Sequence, residues 1–203
     1  MLEELLQLDS NLLVYLNGLG SSWRDPIWLA ITRQVNWTPL FLFILYVMYK
    51  KLGLEQTLLA IGVIAFMILI TDQTTNLVKG HFGRLRPTNN ILINTGMRQV
   101  QMRYSFSFWS GHAANSMAVV LFVYLISRKY IKYIGFFFLW SLIFAYSRIY
   151  LGLHYPGDIL TGFLFGAIMA FLGYLLFNYL NKKYLIPRLA IKNSAVNNSN
   201  SQY

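Results

Sequence analysis

Long apolar runs at residues 54–78, 111–127, 131–147 and 159–180 constrain this chain more than any other feature. A helix crossing the roughly 30 Å hydrocarbon core of a bilayer needs about 20 mostly apolar residues. The two middle runs are short and reach that length only with flanking residues. A fifth stretch, 38–49, is too short alone and is expected to extend back through Arg33 to about Ile27, with a kink at Pro39. Ahead of it, Leu2, Leu5, Leu6, Leu12, Leu13 and Leu16 recur at helical spacing opposite Glu3, Glu4 and Asp9, a pattern that suits a helix lying in the membrane surface. The expected fold is all-α: an integral membrane bundle of about five transmembrane helices plus an N-terminal interfacial amphipathic helix.

Composition agrees, since 56% hydrophobic against 12% charged residues over 203 positions is too apolar for a soluble domain of this size. Three regions are expected: an interfacial helix over 1–24, a transmembrane domain over 25–183, and a cytoplasmic, largely disordered tail over 184–203, Asn- and Ser-rich from Lys192. Residues 2–19 lack a basic leader and a small-residue cleavage site, so no removable signal peptide is expected. The chain has no cysteine, which excludes disulfides, thiolate metal sites and a cysteine nucleophile. Its net charge of +10 is strung between apolar segments, which argues against nucleic acid and for anionic head groups and phosphate. Lys50 and Lys51, then Arg128, Lys129 and Lys132, then Lys182, Lys183, Arg188 and Lys192 fall on one side of five alternating spans, expected to be cytoplasmic. In the last span Gly162, Gly166 and Ala170 make a small-residue stripe where a second helix can approach closely.

Three polar clusters interrupt the apolar pattern, and alternation brings all of them to the opposite face. The first runs from Lys79 through His81 and Arg84 to Arg86 and Pro87. The second is Ser107-Phe-Trp-Ser110-Gly111-His112, where a helix begins. The third runs from Ser147 and Arg148 to His154, Pro156 and Asp158. Fixed cations supply charge for a multiply ionised phosphate, and a Ser-Gly turn opening a helix adds backbone N–H groups and the positive end of the dipole. Two histidines then offer a nucleophile or base and an acid for a leaving oxygen. Asp158 follows His154 by four residues, so a helix starting near Pro156 lets its carboxylate reach back to an imidazole N–H.

The spacing Lys79-x6-Arg86-Pro87, then Ser110-Gly111-His112, then Ser147-Arg148-x5-His154-x3-Asp158 resembles the three-part signature of the type 2 phosphatidic acid phosphatase family, whose site is shared with vanadium haloperoxidases. The resemblance covers roughly residues 25–183, and three motifs in the right order are far more specific than one. It implies that Lys79, Arg86 and Arg148 hold a phosphate with Ser110 and the Gly111 N–H, and that His154 attacks phosphorus to form a phosphohistidine. It also implies that Asp158 orients His154, and that His112 protonates the leaving group and then activates water. No metal or other cofactor is expected. Trp109 stands where the family usually has proline and adds an aromatic wall to that turn.

As a compact bacterial member, the chain is expected to be a membrane phosphatase acting on a phospholipid or polyprenyl phosphate. The expected substrate is undecaprenyl pyrophosphate, with the site facing the periplasm or cell exterior from the inner membrane. Phosphatidylglycerol phosphate, phosphatidic acid, lipid A, transfer to another lipid, and a non-catalytic lipid-binding protein are the alternatives; oligomeric state is left open. Arg24, Arg33 and Arg98 read as interface anchors, and His81 as a loop histidine. Asp72 and Asn76 lie on the face of Lys79 within a span, where polar side chains serve either function or helix-to-helix hydrogen bonds; Arg84 and Arg103 carry no assigned role. A metal held by His112, His154 and Asp158 is disfavoured by the surrounding cations.

Overall fold

The computed structural model describes residues 1–188, so most of the expected tail lies outside the described residues. Among those residues all regular structure is helical. Helix α1, Leu2–Gly18, starts with Glu3 and Glu4 against the positive end of its own dipole. It packs on the helices that carry the third polar cluster. Leu13 is buried there, whereas Leu2, Leu5 and Leu8 remain more than half exposed. One fully buried side chain fixes its other end: Asn17 donates to the carbonyls of Tyr150 (2.8 Å) and Arg98 (3.1 Å) and accepts from the Arg98 N–H (2.6 Å).

The expected continuous span through Arg33 is instead broken. Helix α2, Asp25–Ile31, stops before an extended Arg33 and a single 3-10 turn at Gln34–Trp37, and α3 resumes at Thr38–Leu52. Pro39 lies in the first turn of α3, where its missing N–H costs nothing, so it starts a helix and does not kink one. The break is stable because side chains replace the lost ladder: Trp37 Nε1 donates to Ile31 O (2.8 Å) and Asn36 Nδ2 to Ala30 O (2.7 Å). Irregular backbone at such a depth is tolerated only where protein or a polar cavity covers it, and here it covers the site described below.

Helix α4, Leu54–Phe82, outruns the apolar segment by one turn and so carries Lys79 in its last turn. Gly83, at φ 58, ends it in the left-handed conformation that favours glycine and turns Arg84 and Arg86 back over the helix end. After a short α5, Ile91–Asn94, helix α6 runs Gly111–Ser127, α7 Phe137–Tyr150 and α8 Pro156–Leu180. Residues 181–185 continue α8 as a π-helical turn and 186–188 remain helical, so the first residues expected in the tail belong to the helix.

The centre of the bundle is the α6–α8 pair. A Cβ on Gly162 would lie 2.6 Å from the Ser110 carbonyl oxygen, so the small-residue stripe lets α8 approach the N-terminus of α6 and bring Asp158 beside Ser110. Around that pair Met67, Phe122, Phe144 and Phe177 form the core. Leu42, Phe43, Leu160 and Leu164 are about 60–69% exposed, an apolar outer surface that suits hydrocarbon better than water. Two stretches, Leu54–Asn94 and Pro156–Arg188, are long and apolar enough to cross a membrane; Gly111–Ser127 and Ile134–Tyr150 are apolar but shorter.

Candidate active site

The three polar clusters meet at one end of the bundle, built from the C-terminal ends of α4 and α7 and the N-terminal ends of α6 and α8. The α7–α8 turn is tied by Arg148, whose carbonyl accepts from the Leu153 N–H (2.9 Å). Gly152 makes it possible at φ 75; a Cβ there would strike Met97. This turn delivers His154, 1% exposed, onto fully buried Asp158.

Helix α8 starts at Pro156, and His154 Nδ1 lies 3.4 Å from Asp158 Oδ2. On the other ring nitrogen, Arg86 Nη1 sits 3.0 Å from Nε2. A guanidinium can only donate, so Nε2 must be the unprotonated nitrogen, with the proton on Nδ1 facing the carboxylate. Burial first, and the Arg86 charge after it, push the His154 pKa down to about 3 although the Asp158 hydrogen bond pulls the other way. The imidazole is therefore neutral at physiological pH, and its Nε2 lone pair accepts from Arg86.

Asp158 is held on every side. Oδ2 accepts from the Tyr155 N–H (3.1 Å) and from the Ser107 hydroxyl, and Oδ1 from Arg84 Nη1 (2.8 Å). Arg84, stacked 3.7 Å over the Tyr155 ring, also donates to Asp9 Oδ2 (2.7 Å), and Asp9 Oδ1 accepts from the Gly157 N–H (2.7 Å). The surface helix α1 thus reaches the carboxylate that faces His154.

Ser110 caps α6, and Gly111 opens that helix against Thr75, which lies 3.2 Å from where a Cβ would stand. Thr75 also accepts from Trp109 Nε1 (2.8 Å), and Trp109 stacks on Phe165 at 4.4 Å between centroids. The residue that departs from the family pattern is therefore built into the α4–α6–α8 junction. One turn on, His112 stacks on Phe144 with a centroid distance of 5.4 Å. It lines a polar cavity of about 340 Å³ together with Arg148, Arg103, Gln101, Thr32, Arg33 and Gln34. Arg148, 1% exposed, reaches this cavity with one guanidinium nitrogen on Thr32 Oγ1 (2.5 Å) and its Nε unpartnered.

Lys79, Arg86 and His154 are not on this cavity's walls. Arg86 lies behind, its fork engaged by Ser105 O (2.9 Å) and Leu153 O (2.8 Å). Lys79, Arg86, Arg103 and Arg148 pair with no carboxylate among the described residues. That excess of fixed positive charge suits a multiply charged anion.

Several residues of this site escaped the sequence reading. Arg33 lines the cavity because the α2–α3 break turns it inward, and Arg98 pairs with Asp25 (2.8 Å) instead of anchoring at an interface. Ser107 and Arg84, which stand in the polar clusters without an assigned role, bond the carboxylate, and Asp9 reaches it through Arg84. Asp9→Ala, which removes the anchor of Arg84 and the acceptor for Gly157, should lower kcat by about tenfold or more with little change in KM, as loss of a charge-assisted hydrogen bond implies. Unchanged kcat in folded protein would make the α1 contact dispensable.

The profile of the PAP2 superfamily matches residues 59–182. The chain is 35% identical over 183 residues to a lipid A 4'-phosphatase of Bacteroides thetaiotaomicron, covering 86% of this chain and 79% of that one. It is 28% identical over 163 residues to an undecaprenyl-diphosphatase of Sulfolobus acidocaldarius, covering 80% and 68%. Among solved structures, a transmembrane PAP2-type phosphatidylglycerolphosphate phosphatase from Bacillus subtilis superposes with a TM-score of 0.62 at 21% identity, covering 89% of this chain and 88% of that one, which establishes a shared fold.

Proposed function

The chain belongs to the PAP2 superfamily and is a membrane lipid phosphatase, a phosphoric ester hydrolase, and from that premise we propose that it removes a phosphate from the acylated sugar of lipid A. The observation that carries this reading is the 35% identity to a lipid A 4'-phosphatase over most of both chains. The sequence expectation of undecaprenyl pyrophosphate gives way here, because the relative of that name is more distant, at 28% identity, and matches less of the chain.

The proposed reaction gives the site residues the roles that the family resemblance implies. Arg148, Arg86, Lys79, Ser110 and the Gly111 N–H take the phosphate oxygens, whose charge offsets the unpaired cations. His154 Nε2 uses its lone pair to form a P–N bond as the P–O bond to the sugar breaks. Asp158 stabilises the imidazolium through Nδ1–H, and His112 gives a proton to the departing alkoxide. His112 then takes a proton from water, whose oxygen attacks phosphorus as the P–N bond breaks, releasing phosphate and returning His154 to its neutral state. The lysines and arginines at the far ends of α3, α6 and α8 support an outward-facing site, since topogenic basic residues favour the cytoplasm.

Phosphate release by the purified protein in EDTA tests the proposal, with lipid A, undecaprenyl pyrophosphate and phosphatidylglycerol phosphate as substrates. Lipid A should have the highest kcat/KM, by about tenfold or more. Faster hydrolysis of undecaprenyl pyrophosphate would restore the earlier expectation. Activity absent in EDTA and recovered with a divalent ion would overturn the metal-free mechanism.

A further inference from the structure

The polar cavity holds more positive charge than the proposed reaction uses. Exposure orders its walls: Arg148 is 1% exposed, His112, Thr32 and Gln101 are half-buried, and Arg33 and Arg103 are exposed at the mouth. No acid stands on these walls, and neither Arg33 nor Arg103 forms a salt bridge among the described residues. Both arginines sit on backbone fixed from outside the cavity. Arg33 lies in the α2–α3 break, which Asn36 and Trp37 close over α2. The segment bearing Arg103 is tied on either side, by Arg98 to Asp25 (2.8 Å) and by the Ser105 carbonyl, which accepts from Arg86 Nε (2.9 Å). The Arg103 carbonyl itself accepts from Asn89 Nδ2 (2.9 Å). Like charges held together in this way repel one another unless an anion enters.

One phosphate leaves this charge and this volume unfilled. A phosphate monoester carries about −1.5 to −2 charge at pH 7, which Lys79, Arg86 and Arg148 already offset. Even at about 30 Å³ for phosphorus and each of four oxygens, the share of one water in the liquid, a phosphate fills less than half of the roughly 340 Å³. The rest of the cavity lies on the side of His112 and is polar, so what enters it is hydrophilic.

We propose that the mouth of this cavity is a subsite for a second anionic group, carried by the leaving group close to the bond that breaks, and that Arg33 and Arg103 bind it. This rests on the proposed reaction, in which His112 gives its proton to the departing oxygen, so that the leaving group occupies the cavity. Two kinds of substrate carry the chemistry: a sugar bearing a carboxylate or phosphate near the scissile ester, and a diphosphate, whose inner phosphate leaves with the lipid. A guanidinium suits either, because its fork meets carboxylate and phosphate with two parallel hydrogen bonds. The acylated sugar of the lipid A reading makes the first the expected source.

The test measures phosphate release by the purified full-length protein from two pairs of substrates. One pair is N-palmitoyl-glucosamine phosphorylated at the hydroxyl beside its hydroxymethyl group, and the analogue in which that hydroxymethyl group is a carboxylate. The other is farnesyl phosphate and farnesyl diphosphate. Wild-type kcat/KM should favour the member with the second anion by about tenfold or more in at least one pair, and Arg33→Gln and Arg103→Gln should each reduce that ratio by about fivefold or more. The single-anion member reports folding, and a ratio within a pair cancels any general loss of activity. If a glutamine variant loses that turnover, the lysine variant, which keeps the charge but not the fork, serves in its place with an expected reduction of about threefold. Reduction in the sugar pair supports the subsite with a sugar-borne anion as its ligand. Reduction in the diphosphate pair alone supports the subsite and overturns the lipid A reading. No wild-type preference in either pair, or ratios unchanged in variants that turn over the single-anion substrates, would overturn the subsite, leave both arginines as anchors for bulk lipid head groups, and keep the phosphatase reading intact.

Discussion

His154→Ala should lower kcat by at least about 10⁴-fold, because removing the nucleophile abolishes the covalent route and leaves only the electrostatic help of the cage. The geometry makes this the most sensitive position. His154 is buried, its Nδ1 faces Asp158 and its Nε2 accepts from Arg86, which a bound phosphate would draw away to free the lone pair for the proposed attack. Rapid acid-free quenching with radiolabelled substrate should trap label on the wild-type chain and none on His154→Ala. A variant retaining more than about a hundredth of wild-type kcat would reject the assignment.

The same histidine leaves a signature in stability. Its pKa is about 3 in the folded protein, against about 6.5 in an unfolded chain, so the native state binds fewer protons between those values. Stability is therefore lost as pH falls below about 6.5 and continues to fall until about 3. His154→Ala should flatten that part of a detergent-solubilised unfolding profile.

Arg148→Lys should lower kcat/KM by about 10²–10³-fold, the range seen when one donor to a developing oxyanion is lost. Lysine keeps the charge but cannot present two fixed donors to a planar set of phosphate oxygens. At 1% exposure, with one nitrogen on Thr32 and Nε unpartnered, Arg148 is positioned by its surroundings and aimed into the cavity beside His112. Vanadate, which copies the trigonal bipyramidal phosphoryl group, should bind the variant more weakly by a similar factor. Loss of less than about threefold in both measurements would remove Arg148 from the phosphate-binding set.

Much of this site is legible in one dimension because the chemistry is local to helix ends. Ser110-Gly111 opens α6 since a serine cap satisfies an orphan N–H, and Asp158, third in a proline-started helix, reaches back past the Tyr155 cap to His154. Runs of apolar residues likewise foretold α4 and α8, since length and hydropathy alone decide whether a helix fits a bilayer.

Three features belong to the tertiary structure alone. The break between α2 and α3 depends on Trp37 and Asn36 reaching back to the carbonyls of α2, and an apolar run with a proline reads equally well as a kinked span. The Asp9–Arg84–Asp158 chain joins residues 75 and 74 positions apart, and no periodicity encodes so distant a pairing. The apolar cavity of about 410 Å³ between α3, α4, α6 and α7 is a volume set by how those helices pack. Sequence by itself therefore determined the long helices and the candidate site residues at their ends, whose causes act within a turn or two of helix. Packing decided which distant charges support those residues and where the cavities lie, because both depend on the spacing between helices and not on the order within one.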